Sequence, residues 1–162
     1  MTPGPHRSLP GGWLVRSGLV HGGAARVLVH RLKYEAIPSA ASVLAAHMVA
    51  ALPPDAERLV PVPRTRWRVI RYGVDPALEL ALELSKASGL PVTRALAPPV
   101  FATHHAGRRK RDRDIPRFRS LRAEGSGMVL VDDVVTTGVT LVGAVSVLAA
   151  DVAGMVTATV SV

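Results

Sequence analysis

Cysteine is missing altogether, so neither a disulfide framework nor a thiolate metal site can be built. Aromatic residues are scarce, with two each of Trp, Tyr and Phe. Trp13, Trp67, Phe101 and Phe118 are scattered and form no row on which the bases of single-stranded DNA could stack. Every apolar run is broken by Asp, Arg, His or Pro before the ~20 residues that a membrane span needs. The opening MTPGPHRSLPGGW has no apolar core segment and reads as a loose Pro/Gly-rich lead-in, not as a secretory signal. No internal repeat is present. These absences predict a cytoplasmic protein of one domain, and 48% hydrophobic with 20% charged residues suits a globular core.

Acid is in short supply as well, with 12 Asp and Glu against 20 Lys and Arg, a net charge of +8. Placement matters more than the total. From Arg108 to Arg122 eight Lys or Arg face only two Asp, so +6 of the excess lies in fifteen residues. Such a tract attracts phosphate, whether of a nucleotide, pyrophosphate or a nucleic acid, and a solvated surface loop accounts for it equally well.

The chain alternates helical and strand patterns. GGAARVLVHRLKYEA places Val27, Leu28 and Leu32 at helical spacing, and a second helix follows from Pro38 until Pro53–Pro54 stops it. RLVPVP reads as a short strand ending at Pro63. A helix is expected after Asp75, with Asp75 as cap, Pro76 in its first turn and Gly89 at its end. Leu78, Ala81, Leu82 and Leu84 are its expected buried face, with Glu79, Glu83 and Lys86 toward solvent. PVTRALA (91–97) reads as a second strand, and 103–126 as a long basic flexible loop. MVLVDDV is a strand, 138–154 a helix and MVTATVSV a last strand. This alternation predicts an α/β fold with a parallel, Rossmann-like sheet covered by helices on both faces. The expected division is a lead-in and helical hood over residues 1–52 and a core over 53–162.

MVLVDDVVTTGVTL, Met128 to Leu141, carries the chemistry. Asp and Gly are poor strand formers and adjacent acids repel, so packing alone gives little reason for the pattern. At the carboxyl end of a parallel strand, where open α/β sheets bind ligands, the pattern makes sense. Asp132 and Asp133 can accept hydrogen bonds from two neighbouring ribose hydroxyls, or hold water-ligated Mg²⁺. Thr136, Thr137, Gly138, Val139 and Thr140 then form a turn whose backbone N–H groups and hydroxyls can cradle a phosphate. The bland alternative is a plain helix cap. His104 and His105 are read as exposed loop histidines, and His30 and His47 as structural ones within helices.

Residues 129–141 resemble the phosphoribosyl-pyrophosphate motif of type I phosphoribosyltransferases across thirteen ungapped positions. Leu32–Tyr34 (LKY), Leu59–Pro63 (LVPVP) and Arg71–Gly73 (RYG) are similar, in that order, to the ComF-like branch associated with competence and DNA uptake. Gly107 and Arg113 match its mobile basic loop best. The chain departs from that branch in lacking its four-cysteine zinc module and in carrying Gly73-Val74-Asp75-Pro76 where the branch has Gly-Phe-Asn-Gln. Thr136 stands where enzymes of 6-oxopurine salvage carry Asp, which argues against hypoxanthine or guanine as acceptor.

The resemblance implies a donor, 5-phosphoribosyl 1-pyrophosphate with Mg²⁺ as cofactor. Its 5-phosphate would lie on Thr136–Thr140, its ribose on Asp132 and Asp133, and its pyrophosphate against Pro63, Arg64 and Thr65. Arg113 would close over the leaving group, and the acceptor would be a nucleobase or similar nitrogen compound. A homodimer is plausible on the same ground. Two further readings stay open. One is a regulator that senses nucleotides through the same pocket. The other is a competence factor that contacts single-stranded DNA through Arg108–Arg122.

Overall fold

Val129, Leu130 and Val131 are fully buried in β6 (Met128–Val135), the strand around which the molecule is built. The computed structural model describes residues 1–100, 116–121, 125–148 and 152–161. β6 pairs in parallel with β3 (Arg58–Pro61) on one side and β7 (Val152–Val160) on the other. β7 pairs in parallel with β2 (Leu14–Val20), and the two-residue β1 (Arg7–Ser8) runs antiparallel along that edge. The order is β1-β2-β7-β6-β3. The protein is therefore α/β with a mostly parallel five-stranded sheet, consistent with the Rossmann-like expectation.

Alternation along each strand sorts the side chains onto two faces. Leu59, Val129, Val131, Val156 and Ala158 pack with α1 (Gly23–Tyr34), α2 (Pro38–Met48) and α4 (Pro76–Ser88). Val60, Leu130 and Met155 pack on the other face with α5 (Val139–Val145). Leu96 and Phe118 join that second core from a separate antiparallel pair, β4 (Leu96–Val100) and β5 (Arg117–Ser120). α3 (Arg66–Tyr72) buries none of its side chains and leaves Trp67 and Ile70 exposed.

Several elements differ from the sequence expectation. Leu14–Val20 carries Arg, Ser and Gly and shows no local strand pattern, yet pairing with β7 makes it a strand of the main sheet. The expected strand 91–97 divides. Leu59 N–H donates to the Pro91 carbonyl (2.9 Å) and Thr93 N–H to the Leu59 carbonyl (2.8 Å), so Val92 bridges the free side of β3 before the chain departs into β4. Part of the expected basic loop is a packed strand, β5, whose Phe118 is buried. The expected helix over 138–154 ends at Val145, where the Ser146 hydroxyl turns back onto the Gly143 carbonyl (2.8 Å), and β7 begins at Val152.

Two helix faces are also rotated from the expectation. α4 buries Ala77, Leu80, Ala81 and Leu84 and leaves Leu82 exposed. The repeat ALELALEL offers two apolar stripes. Close approach to α2, whose buried side is Ala40, Ala41, Leu44, Ala45 and Met48, selects the stripe led by alanines. In α1 the buried residues are Ala25, Val29 and Leu32, with Val27 exposed. Asp75 sits at the N-cap of α4, and Gly89 ends the helix in the left-handed region, both as expected (φ 78° at Gly89).

Candidate functional site

The four parallel strands all end at one edge of the sheet, and the residues that follow them line a cavity of about 510 Å³. β2 contributes His21, β3 contributes Val62 to Thr65, β6 contributes Asp132, Asp133, Val134 and Thr136, and β7 contributes Ser161. α1 forms another wall with Arg26, His30, Lys33 and Tyr34, and Pro99, Pro116 and Phe118 border it from the β4–β5 pair.

Asp133 is 8% exposed, and its Oδ1 lies 3.0 Å from Lys33 Nζ. Asp132 Oδ1 accepts the Asp133 backbone N–H at 2.8 Å. Burial pushes the Asp132 carboxyl up to about 8, with the Asp133 charge adding to the rise and the Asp133 N–H and Lys33 opposing it. Asp132 therefore holds its proton more tightly than an ordinary aspartate, while Lys33 lies against Asp133. Asp75 adds a smaller repulsion. Its own carboxyl is raised by burial, against the Arg64 N–H that donates to its Oδ2 at 3.3 Å.

The turn after β6 is shaped by Gly138, the N-cap residue of α5, at φ 79°. A Cβ there would collide with the Leu9 side chain and would add the strain of a left-handed backbone, so the position favours glycine. Val142 N–H donates to the Gly138 carbonyl (2.9 Å), and the N–H groups of Val139, Thr140 and Leu141 have no partner within the helix. α5 has seven residues, so its dipole is small and the turn's own donors dominate. Thr136 and Thr140 line the cavity, while Thr137, Gly138 and Val139 shape the turn behind them.

The turn after β3 is locked from outside. Arg64 Nη1 donates to the Lys33 carbonyl (3.0 Å) and the Val74 carbonyl (3.4 Å), and its guanidinium lies over the rings of Tyr34 (5.9 Å) and Tyr72 (5.5 Å). Those rings meet edge to face at 5.1 Å. Arg64 thus ties the end of α1 to the start of α4 and fixes the turn, while Thr65 is buried beside it and Arg68 adds a second arginine to the wall. Arg113, Gly107, His104 and His105 lie outside the described residues. So does most of the basic tract proposed for DNA.

No family model matches the chain, and no curated protein matches it. The site therefore rests on its own geometry. Asp132, Asp133, Arg64, Thr65, Thr136 and Thr140 come together in one cavity. The sequence reading missed His21, Arg26 and Arg68. It also took His30 for structural, whereas His30 is exposed, lines the cavity, and packs its ring 4.8 Å from that of Tyr34. His47 is exposed too. The spacing Arg26, His30, Lys33 along one side of a helix was the available signal, and the apolar pattern around it masked it. No helix among the described residues is long and apolar enough to cross a membrane.

Proposed function

We propose that the cavity binds 5-phosphoribosyl 1-pyrophosphate with Mg²⁺ and that the protein is a phosphoribosyltransferase of the type I, ComF-like kind. One observation carries this reading. Two adjacent carboxylates and the Thr/Gly turn that follows them border one cavity, at the carboxyl ends of β6 and β3, with a proline-rigid turn from a distant part of the chain. In this reading the Thr136–Thr140 turn holds the 5-phosphate, Asp132 and Asp133 accept from the ribose hydroxyls, and Pro63–Thr65 with Arg68 borders the pyrophosphate.

Among the described residues no three His, Asp or Glu side chains form a metal cage. The two aspartates suit Mg²⁺ that takes the rest of its shell from phosphate and water. Bound there, Mg²⁺ would neutralise charge on the departing pyrophosphate. The chain's own residues supply the remainder. Lys33 and the arginines offset anionic charge, and the negative charge of the aspartate pair supports the oxocarbenium-like ribose. The two turns hold the ends of the donor so that the anomeric carbon is fixed between them.

Calorimetric titration of phosphoribosyl pyrophosphate with Mg²⁺ tests the donor site. The wild type should bind, and Asp133→Asn should weaken binding at least tenfold, ~1.4 kcal/mol. A well-folded wild type that does not bind refutes the reading.

A further inference from the structure

His21 follows β2 and lines the cavity, and the hydrogen bonds behind it favour one of its two tautomers. Its Nδ1 lies 2.9 Å from Thr159 Oγ1 on β7, and the Thr159 hydroxyl donates to the Asp133 carbonyl at 3.4 Å. A carbonyl oxygen only accepts, so the one hydroxyl proton of Thr159 is directed to β6. Toward His21 the same oxygen accepts. With Thr159 directed that way, Nδ1 carries the proton and Nε2, on the far side of the ring, is the nitrogen left to accept.

The sheet order gives that nitrogen a place in the reaction. β3, whose turn borders the pyrophosphate in the reading above, lies on one side of β6, and β7 and then β2 lie on the other. Displacement at the anomeric carbon brings the nucleophile in opposite the leaving group, which is the β2 side. We propose that His21 Nε2 is the proton acceptor for the N–H of the incoming nitrogen nucleophile. The proposal rests on the donor-site reading.

In the step, the nucleophile's nitrogen bonds to the anomeric carbon. The bond from that carbon to the pyrophosphate oxygen breaks, with its electron pair leaving on pyrophosphate. The N–H proton passes to Nε2 and then to solvent. The charged groups around the imidazole are Lys33 and Arg26 from α1 and Asp133 from β6. Burial and the two cations hold the His21 pKa below its ordinary value, outweighing Asp133, so the ring is neutral when the acceptor arrives.

The test has two arms on the full chain. Nitrogen-15 NMR of the imidazole rings should show His21 protonated at Nδ1 and bare at Nε2 at neutral pH, and Thr159→Val should move the proton toward Nε2. Pyrophosphate release from Mg²⁺-phosphoribosyl pyrophosphate is then followed with benzimidazole, adenine, xanthine and uracil as acceptor probes. At least one should turn over in the wild type. His21→Ala should lower kcat about 100-fold or more with donor affinity held within twofold, and added imidazole should restore part of the loss. An Nε2–H ring in the wild type, full kcat in His21→Ala, or no release with any probe by a wild type that binds donor would each overturn the assignment. Absence of donor binding by calorimetry overturns the donor site and this proposal together. Donor binding with an Nε2–H ring overturns this proposal alone.

Discussion

An aspartate that keeps its proton to about pH 8 makes both binding and folding sensitive to pH. In the unfolded chain Asp132 titrates near 3.8, so between that value and about 8 the folded state binds the extra proton. Stability therefore falls as pH rises through this window and levels off above it. Asp132→Asn should flatten that slope and raise unfolding free energy at pH 8 by about 1–3 kcal/mol, read from denaturant melts across pH 4–9. Donor binding that engages the charged carboxyl should release protons near pH 7, visible as a dependence of calorimetric heat on buffer ionisation enthalpy. At Gly138 the constraint is steric. Gly138→Ala should cost about 1–3 kcal/mol, and weaken donor binding with it. Leu9→Ala in that background should relieve the clash with Leu9 Cδ2 but leave the φ strain. Melts of the single and double variants separate the two terms.

At the scale of elements, the short quoted segments were more informative than the periodicities. Lys33 and Tyr34 lie far in sequence from Arg64 and Tyr72 and from Asp133, yet they meet through the Lys33–Asp133 ion pair and the Arg64–Tyr34–Tyr72 cluster. β3, β6 and the start of α4 were legible because Pro, Gly and buried valines mark them locally. The buried side of α4 was not, because its Leu/Ala repeat is satisfied by two rotations and only the surface of α2 chooses between them. Leu80→Ala should therefore cost about 2–5 kcal/mol, whereas Leu82→Ala should stay within about 0.5 kcal/mol. Equal losses at the two positions would mean that the helix is seated the other way. α3 was unreadable for the opposite reason: it buries no side chain, so it leaves no apolar signature.

For the whole molecule, what escaped sequence reading is what depends on distant partners. Leu14–Val20 is a strand because Val15 lies opposite Met155, a pairing no local window contains. The same separation hid His21, whose orientation comes from Thr159 and, through it, from Asp133. The polar contact of Ser17 with Thr157 (2.7 Å), buried between the same two strands, belongs to this set. A chain cut before Val152 should lack cooperative unfolding, because β2 and β6 both lose the strand between them. Circular dichroism melts of such a truncation, against the intact chain, check this.

The β2–β7 pairing also sets an order of events on the ribosome. β2 must wait for a strand made about 140 residues later before its hydrogen-bonding edge is covered. At ordinary elongation rates of roughly 5–20 residues per second that wait is on the order of 10 s. During it, α1 and α2 can pack locally while Val15 and Leu19 have no sheet to enter. The cavity at the strand ends cannot be completed until β7 has been made.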